Sequence, residues 1–224
     1  MTKGWLYNMT IGVILAGGIG SRFGGDKPKQ YYLIHNKEMI FYVIEAFKKS
    51  KSVDDLIVVL DKEEFERGRI QTDYNVKTIL GGATRNKSLK NAINYINNNY
   101  SDCDKIIINN AACPLVTPEL TDEIIKLLDE NDFVQCTYKI TDALGSYKTR
   151  LVDREDYYLI QAPDAYRFKL LSQYFDEDSP IGHPAAHLPE NVKGYNYFDF
   201  IPNYKVTYPE DIKIVEMLMD RRKK

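Results

Sequence analysis

Apolar residues fall along this chain in two alternating rhythms. Short runs able to bury both faces, at 11–15, 56–60, 77–80, 105–109 and 134–140, predict strands of a sheet covered by helices on either side. Between them apolar positions recur at helical spacing: Met39, Ile40, Val43, Ile44 and Phe47, then Leu89, Ala92, Ile93 and Ile96, then Leu120, Ile124, Ile125 and Leu128. Thr117 followed by Pro118 predicts a capped start for the last of these helices. Such regular alternation predicts an α/β, doubly wound, Rossmann-like fold with a mostly parallel central sheet, whose ligands bind outside the carboxyl ends of the strands.

The pattern changes after Gly145. "YKTRLVDREDYYLI" predicts paired strands, forming a small β-arm over about 140–165, and 176–193 predicts a long proline-bearing loop that holds His183 and His187. The aromatic run Tyr195, Tyr197, Phe198 and Phe200 predicts an edge strand or a subunit contact. "YKVT" predicts a short strand, and from Pro209 onward Ile212, Val215, Leu218 and Met219 mark one face of a final helix. At 224 residues, with no repeat and no low-complexity stretch, the chain is expected to form a single domain over 1–224.

Composition narrows the classes of partner. Hydrophobic residues make up 44% and charged residues 28%, as in folded globular proteins. A net charge of -2 supplies no overall positive field for nucleic acid or an anionic bilayer, so any anion is bound locally. Cys103, Cys113 and Cys136 are too widely spaced for a structural zinc site or a disulfide framework and are expected to be reduced thiols in the cytoplasm. The run from Ile11 to Ala16 is too short to span a membrane and lacks the layout of a signal peptide. His183 and His187 have metal-ligand spacing only on a helix, and Pro184 and Pro189 argue against one.

Candidate chemistry concentrates in "VILAGGIGSRFGGDKPKQYYLI". Its glycines fail as a dinucleotide fingerprint, because Phe23 stands where the third glycine belongs and no acidic residue closes the next strand. They fail as a Walker loop as well, since no Gly-Lys-Ser/Thr follows. What remains is bare backbone for close approach to a ligand, with Arg22, Lys27 and Lys29 supplying charge for phosphate oxygens. A plain strand-to-helix turn with solvated cations is the alternative.

"LAGGIGSRF" followed by "KPKQY" resembles the opening signature of the cytidylyltransferases that make CDP-methylerythritol and CDP-ribitol. Four further segments are similar to theirs in the same order: "GGATRNKSLKNAI", "NNAACPLVTPEL", "VDREDYYLIQAPDAYRF" and "YKVTYPEDIKIVEML". The resemblance implies in-line attack of an acceptor phosphate oxygen on the α-phosphorus of CTP, with pyrophosphate leaving. It implies that Arg22 and Lys29 meet the triphosphate, with Lys27 assisting, and that Arg154 and Lys205 hold the acceptor's phosphate. It further implies a nucleotide site built from Ala16, Gly17, Gly18, Gly20, Gly82, Arg85, Ser88, Asn110 and Ala111, a Mg²⁺ cofactor, and a homodimer joined through the arm.

Three departures stand out. Asn110 replaces an aspartate that helps hold Mg²⁺ in that family, Cys113 replaces an arginine, and Ala83 replaces a further aspartate. An amide is a weaker magnesium ligand than a carboxylate. Three outcomes are therefore open: CTP carries its metal on its own phosphates, another acid such as Asp199 contributes, or catalysis is lost. The expected partners are CTP and a small phosphorylated alcohol, either a ribitol- or glycerol-type phosphate for surface-polymer synthesis or methylerythritol phosphate for isoprenoid synthesis. The rival reading is a non-catalytic nucleotide-binding homologue.

Overall fold

The computed structural model describes residues 9–18, 20 and 22–222. The chain opens with β1 (Met9–Ala16), a small hairpin of β2 (Leu33–Ile34) and β3 (Lys37–Glu38), and α1 (Met39–Lys49). β4 (Asp55–Leu60), α2 (Lys62–Arg67), α3 (Arg69–Tyr74), β5 (Lys77–Leu80), α4 (Arg85–Asn99), β6 (Cys103–Asn110), α5 (Pro118–Leu127) and β7 (Phe133–Lys139) follow. Then come β8 (Tyr158–Arg167), α6 (Phe168–Tyr174), β9 (Gly194–Tyr197) and α7 (Asp211–Arg222). The main sheet has seven strands in the order β5-β4-β1-β6-β8-β7-β9. Only β8 runs against the others. The predicted α/β architecture with a mostly parallel sheet is thus the observed one.

The period-2 pattern of the strands sorts their side chains onto two faces. Ile14, Val58, Leu60, Ile107, Val134 and Ala165 pack under α1 and α5. Ile11, Val13, Ile57, Val59, Ile106, Ile108 and Tyr166 pack with α4 and α6 on the other side. A third, smaller core gathers Phe23, Ile34, Met39, Leu115, Val206, Val215 and Met219, which fixes α7 against the hairpin and the loop after β6. As the sequence predicts, the Thr117 hydroxyl caps α5 by accepting from Leu120 N at 3.2 Å.

The second half differs from expectation in two places. β8 takes residues 158–167 into the main sheet, pairing with both β6 and β7, so the segment that leaves the sheet is 140–157. That segment forms no paired strands; it holds one 3-10 turn at Arg154–Asp156. Two of its apolar side chains, Tyr147 and Leu151, are almost wholly solvent-exposed. "YKVT" makes one ladder-like bond, Val206 N to the Ala112 carbonyl at 2.8 Å, and no assigned strand, because it crosses the ends of the sheet strands instead of running beside one. The aromatic run does supply an edge strand, β9, parallel to β7.

Candidate active site

β1 and β6 are neighbours, and both end at the same rim of the sheet. Ala111 N donates to the Leu15 carbonyl at 3.0 Å there, locking the glycine loop to the turn after β6. The turn after β5 arrives at the same rim, with Gly81 N donating to the Leu60 carbonyl at 2.7 Å. Thr84 then caps α4 by accepting from Lys87 N at 3.1 Å, so the amino end of a fifteen-residue helix opens at the rim. Backbone donors and the positive end of the helix dipole are therefore presented where an anion would lie.

These elements enclose a cavity of about 470 Å³, lined by Leu15, Ala16, Gly17, Gly18, Lys29, Gln30, Gly82, Ala83, Thr84, Arg85, Ser88, Asn110, Ala111, Ala112 and Lys205. Nearly the whole set of residues expected from sequence to contact the nucleotide is brought together here. Gly82 allows the close approach: a Cβ on it would stand 2.4 Å from Lys87 Cβ. The Ser88 hydroxyl takes the Gly82 N–H at 3.0 Å and reaches the Gly82 carbonyl at 3.3 Å, which shapes the turn around α4. Gly20 has φ +70°, a left-handed conformation that glycine adopts without strain, and it lies against the Lys29 stem.

Lys29 is half-buried, and its ammonium donates to the Val206 carbonyl at 2.8 Å. Burial, and then the charge of Lys205, hold its pKa below the usual lysine range, with Arg22 adding to the effect. These cations therefore repel one another in the absence of an anion. The neighbouring Gln30 is buried, and its amide donates to the Ala16 carbonyl at 2.6 Å, fixing the segment that carries Lys29 against the glycine loop.

Residues of no predicted role complete the frame. Asn109 and Asn203 are fully buried. Asn109 Nδ2 donates to the carbonyls of Asn110 and Cys113, and Asn203 accepts from Leu115 N at 2.9 Å while donating to the Ala162 carbonyl at 2.9 Å. Together they hold the turn after β6 and the 203–206 strap that delivers Lys205. Two asparagines far apart in sequence carry no local signal for such a role. Cys113 is buried, its backbone N–H donates to the Asn110 carbonyl at 2.9 Å, and burial pushes its thiol up to about 11. The thiolate is therefore disfavoured.

Other predicted residues lie elsewhere. Lys27 is exposed, with its ammonium 5.1 Å from the Tyr32 ring centroid, and does not line the cavity. Arg154 sits in the exposed 140–157 segment, bonded to the Thr141 carbonyl and to Glu155. Asp199 is exposed beyond the end of β9 and does not line the cavity. His183 and His187 are both committed to protein groups, Gln135 Oε1 at 2.7 Å and the Ile181 carbonyl at 2.9 Å. A larger cleft of about 580 Å³ at the amino ends of β4 and β5 offers Lys77, but that ammonium is paired with Asp55.

The cavity's donor set does not fit a protein-held magnesium. Its described lining includes no carboxylate, and Asn110 supplies a single neutral oxygen. Among the described residues, no group of three or more His, Cys, Asp or Glu is disposed to hold a metal, and no helix is long and apolar enough to cross a membrane.

Known proteins resemble this chain over nearly its whole length. The chain is 25% identical over 228 residues to the 2-C-methyl-D-erythritol 4-phosphate cytidylyltransferase of Alkaliphilus metalliredigens, covering 94% of this chain and 93% of that one. It is 27% identical over 232 residues to the ribitol-5-phosphate cytidylyltransferase of Lactiplantibacillus plantarum, covering 93% and 97%. In fold it matches the crystal structure of 4-diphosphocytidyl-2C-methyl-D-erythritol synthase from Anaerococcus prevotii, with a TM-score of 0.81 at 19% identity, over 95% of this chain and 96% of that one. The family model of IspD, 2-C-methyl-D-erythritol 4-phosphate cytidylyltransferase, matches residues 10–221, and the chain belongs to that family of nucleotidyltransferases.

Proposed function

We propose that this protein transfers CMP from CTP to a small polyol phosphate. The observation that carries the reading is the cavity at the glycine loop, where bare backbone, the start of α4 and the ammonium groups of Lys29 and Lys205 converge without a carboxylate. A phosphate oxygen of the acceptor attacks the α-phosphorus of CTP in line. The new P–O bond forms as the bond to the bridging oxygen breaks, and pyrophosphate leaves with the electron pair. Such a transfer asks the protein for positioning and charge stabilisation more than for covalent chemistry. Lys29 and Arg22 take up charge at the α-phosphate. Ala16, Gly17, Gly18, Gly82 and Ser88 hold the base and ribose through backbone and hydroxyl groups, and Arg85, Asn110 and Ala111 complete the pocket. Lys205 faces the acceptor's phosphate.

Magnesium enters this reading as a counter-ion on the phosphates of CTP, not as a metal held by Asn110 or Asp199. Arg154 does not reach this cavity, and the apolar residues around it are exposed, so it meets an acceptor in the cavity of a second copy. A homodimer joined through the arm at about 140–165 follows, since the exposed apolar side chains Tyr147, Leu151, Tyr157, Leu159 and Ile160 call for a partner. Each copy acts as a single domain in the cytoplasm, where CTP is made and thiols stay reduced. The acceptor is a ribitol- or glycerol-type phosphate serving surface-polymer synthesis, because the segments that match the family's acceptor-side motifs depart most from its pattern.

Asn110 and Cys113 favour a second reading, a homologue that binds nucleotide without turning it over. Pyrophosphate release, measured with each of the four ribonucleoside triphosphates against a panel of polyol phosphates, separates the two. Turnover with CTP and a polyol phosphate is the expected result. CTP binding without turnover against any acceptor favours the second reading.

A further inference from the structure

The nucleotide cavity carries cations without acids. Lys29, Arg85 and Lys205 line it, and Arg22 lies near enough for its charge to act on Lys29. Acids on the surrounding loops are engaged elsewhere. Asp211 accepts from Thr207 N at 2.7 Å, Tyr208 N at 2.8 Å and the Tyr204 hydroxyl at 3.2 Å, holding the start of α7. Asp61 accepts from Glu64 N at 3.1 Å through Oδ1 while its Oδ2 is buried without a hydrogen bond among the described residues, and it lines a separate pocket with Glu38 and Glu64. Asp26 accepts from the Tyr32 hydroxyl at 2.9 Å. At the position that matches the family's metal-holding aspartate, this chain has Asn110, a neutral amide that lines the cavity.

Charge decides what such a cavity selects. Magnesium seeks anionic oxygen ligands, and none is offered here by the protein. A fully ionised triphosphate, by contrast, removes the mutual repulsion of Lys29, Lys205 and Arg22 when it binds. Resting on the cytidylyltransferase reading, we propose that this chain binds metal-free CTP as well as it binds the magnesium complex. Lys29, Lys205, Arg85 and Arg22 supply the neutralising charge, and the uncharged amide at 110 is the determinant. A carboxylate there would repel the bare triphosphate and tie nucleotide binding to the cation.

The test is calorimetric titration of CTP into the full chain in excess EDTA and in excess magnesium chloride. Wild-type affinity is expected to agree between the two media within about threefold, whereas Asn110→Asp weakens binding in EDTA by about tenfold or more and magnesium restores it. A second variant, Lys205→Ala, is expected to lose more affinity in EDTA than in magnesium. Wild-type binding in magnesium alone overturns the inference and leaves the cytidylyltransferase reading standing, as does equal binding of Asn110→Asp in both media. A folded wild-type protein that binds CTP in neither medium overturns both.

Discussion

Asn203 Nδ2 donates to Asn109 Oδ1 at 3.2 Å, joining a residue at the end of β6 to the strap that crosses above it. Neither side chain touches solvent. Replacing Asn203 with Ala would leave Asn109 Oδ1, Leu115 N and the Ala162 carbonyl without their partner, a loss of about 2–4 kcal/mol. A thermal melt should show it. Because the strap also carries Lys205, the acceptor KM of this variant should rise more than its affinity for CTP falls.

Lys29→Ala should lower turnover by orders of magnitude while sparing the melting temperature. The position is only half-buried, so a normal rate would remove Lys29 from the transition state. The wild-type rate should also fall on the alkaline side. Lys29 acts as a cation, burial and Lys205 place its pKa below the usual lysine range, and its charge is lost as pH rises through that lowered value. Cys113 and Asp211 act in the opposite direction more weakly, and Arg22 acts with Lys205. The kcat/KM profile of Lys29→Arg should hold its activity to higher pH.

Gly82→Val should abolish measurable CTP binding. Its Cβ would fall 2.4 Å from Lys87 Cβ and 2.8 Å from the Lys87 carbonyl carbon, so the start of α4 must shift and the turn around Ser88 with it. Calorimetry on the folded variant checks this.

Leu151→Asp should dissociate the proposed homodimer in sedimentation velocity without unfolding the protomer, because Leu151 is 92% exposed in the single chain. Arg154→Ala should raise the KM for the acceptor while leaving CTP affinity unchanged. If the two variants leave both assembly and acceptor KM as they were, the arm has no part in the site.

Much of this was legible in the sequence. The short apolar runs and the three helical stripes between them announced α/β alternation, since period is a local property of the chain. Thr117 with Pro118 fixed the start of α5 in the same way. The segment 147–157 misled because its alternation mimics a strand, yet a strand needs a neighbour, and the sheet takes up the chain only from Tyr158. Lys27 stands two residues from Lys29 and carries the same charge, but Pro28 and the 3-10 turn from Lys29 to Tyr31 send the two ammonium groups apart. The Asn109–Asn203 pair had no sequence signature, because both partners owe their role to topology alone.

The strap through Asn203 and Lys205 has a bearing on biogenesis. The glycine loop leaves the ribosome early, and the turn around Ser88 soon after, but Lys205 reaches the cavity only when residues 203–206 have emerged and folded back over β6. A chain that has not yet reached residue 203 therefore lacks both the Lys205 ammonium and the Val206 carbonyl that anchors Lys29, so its cavity is incomplete until nearly the whole sequence has been made.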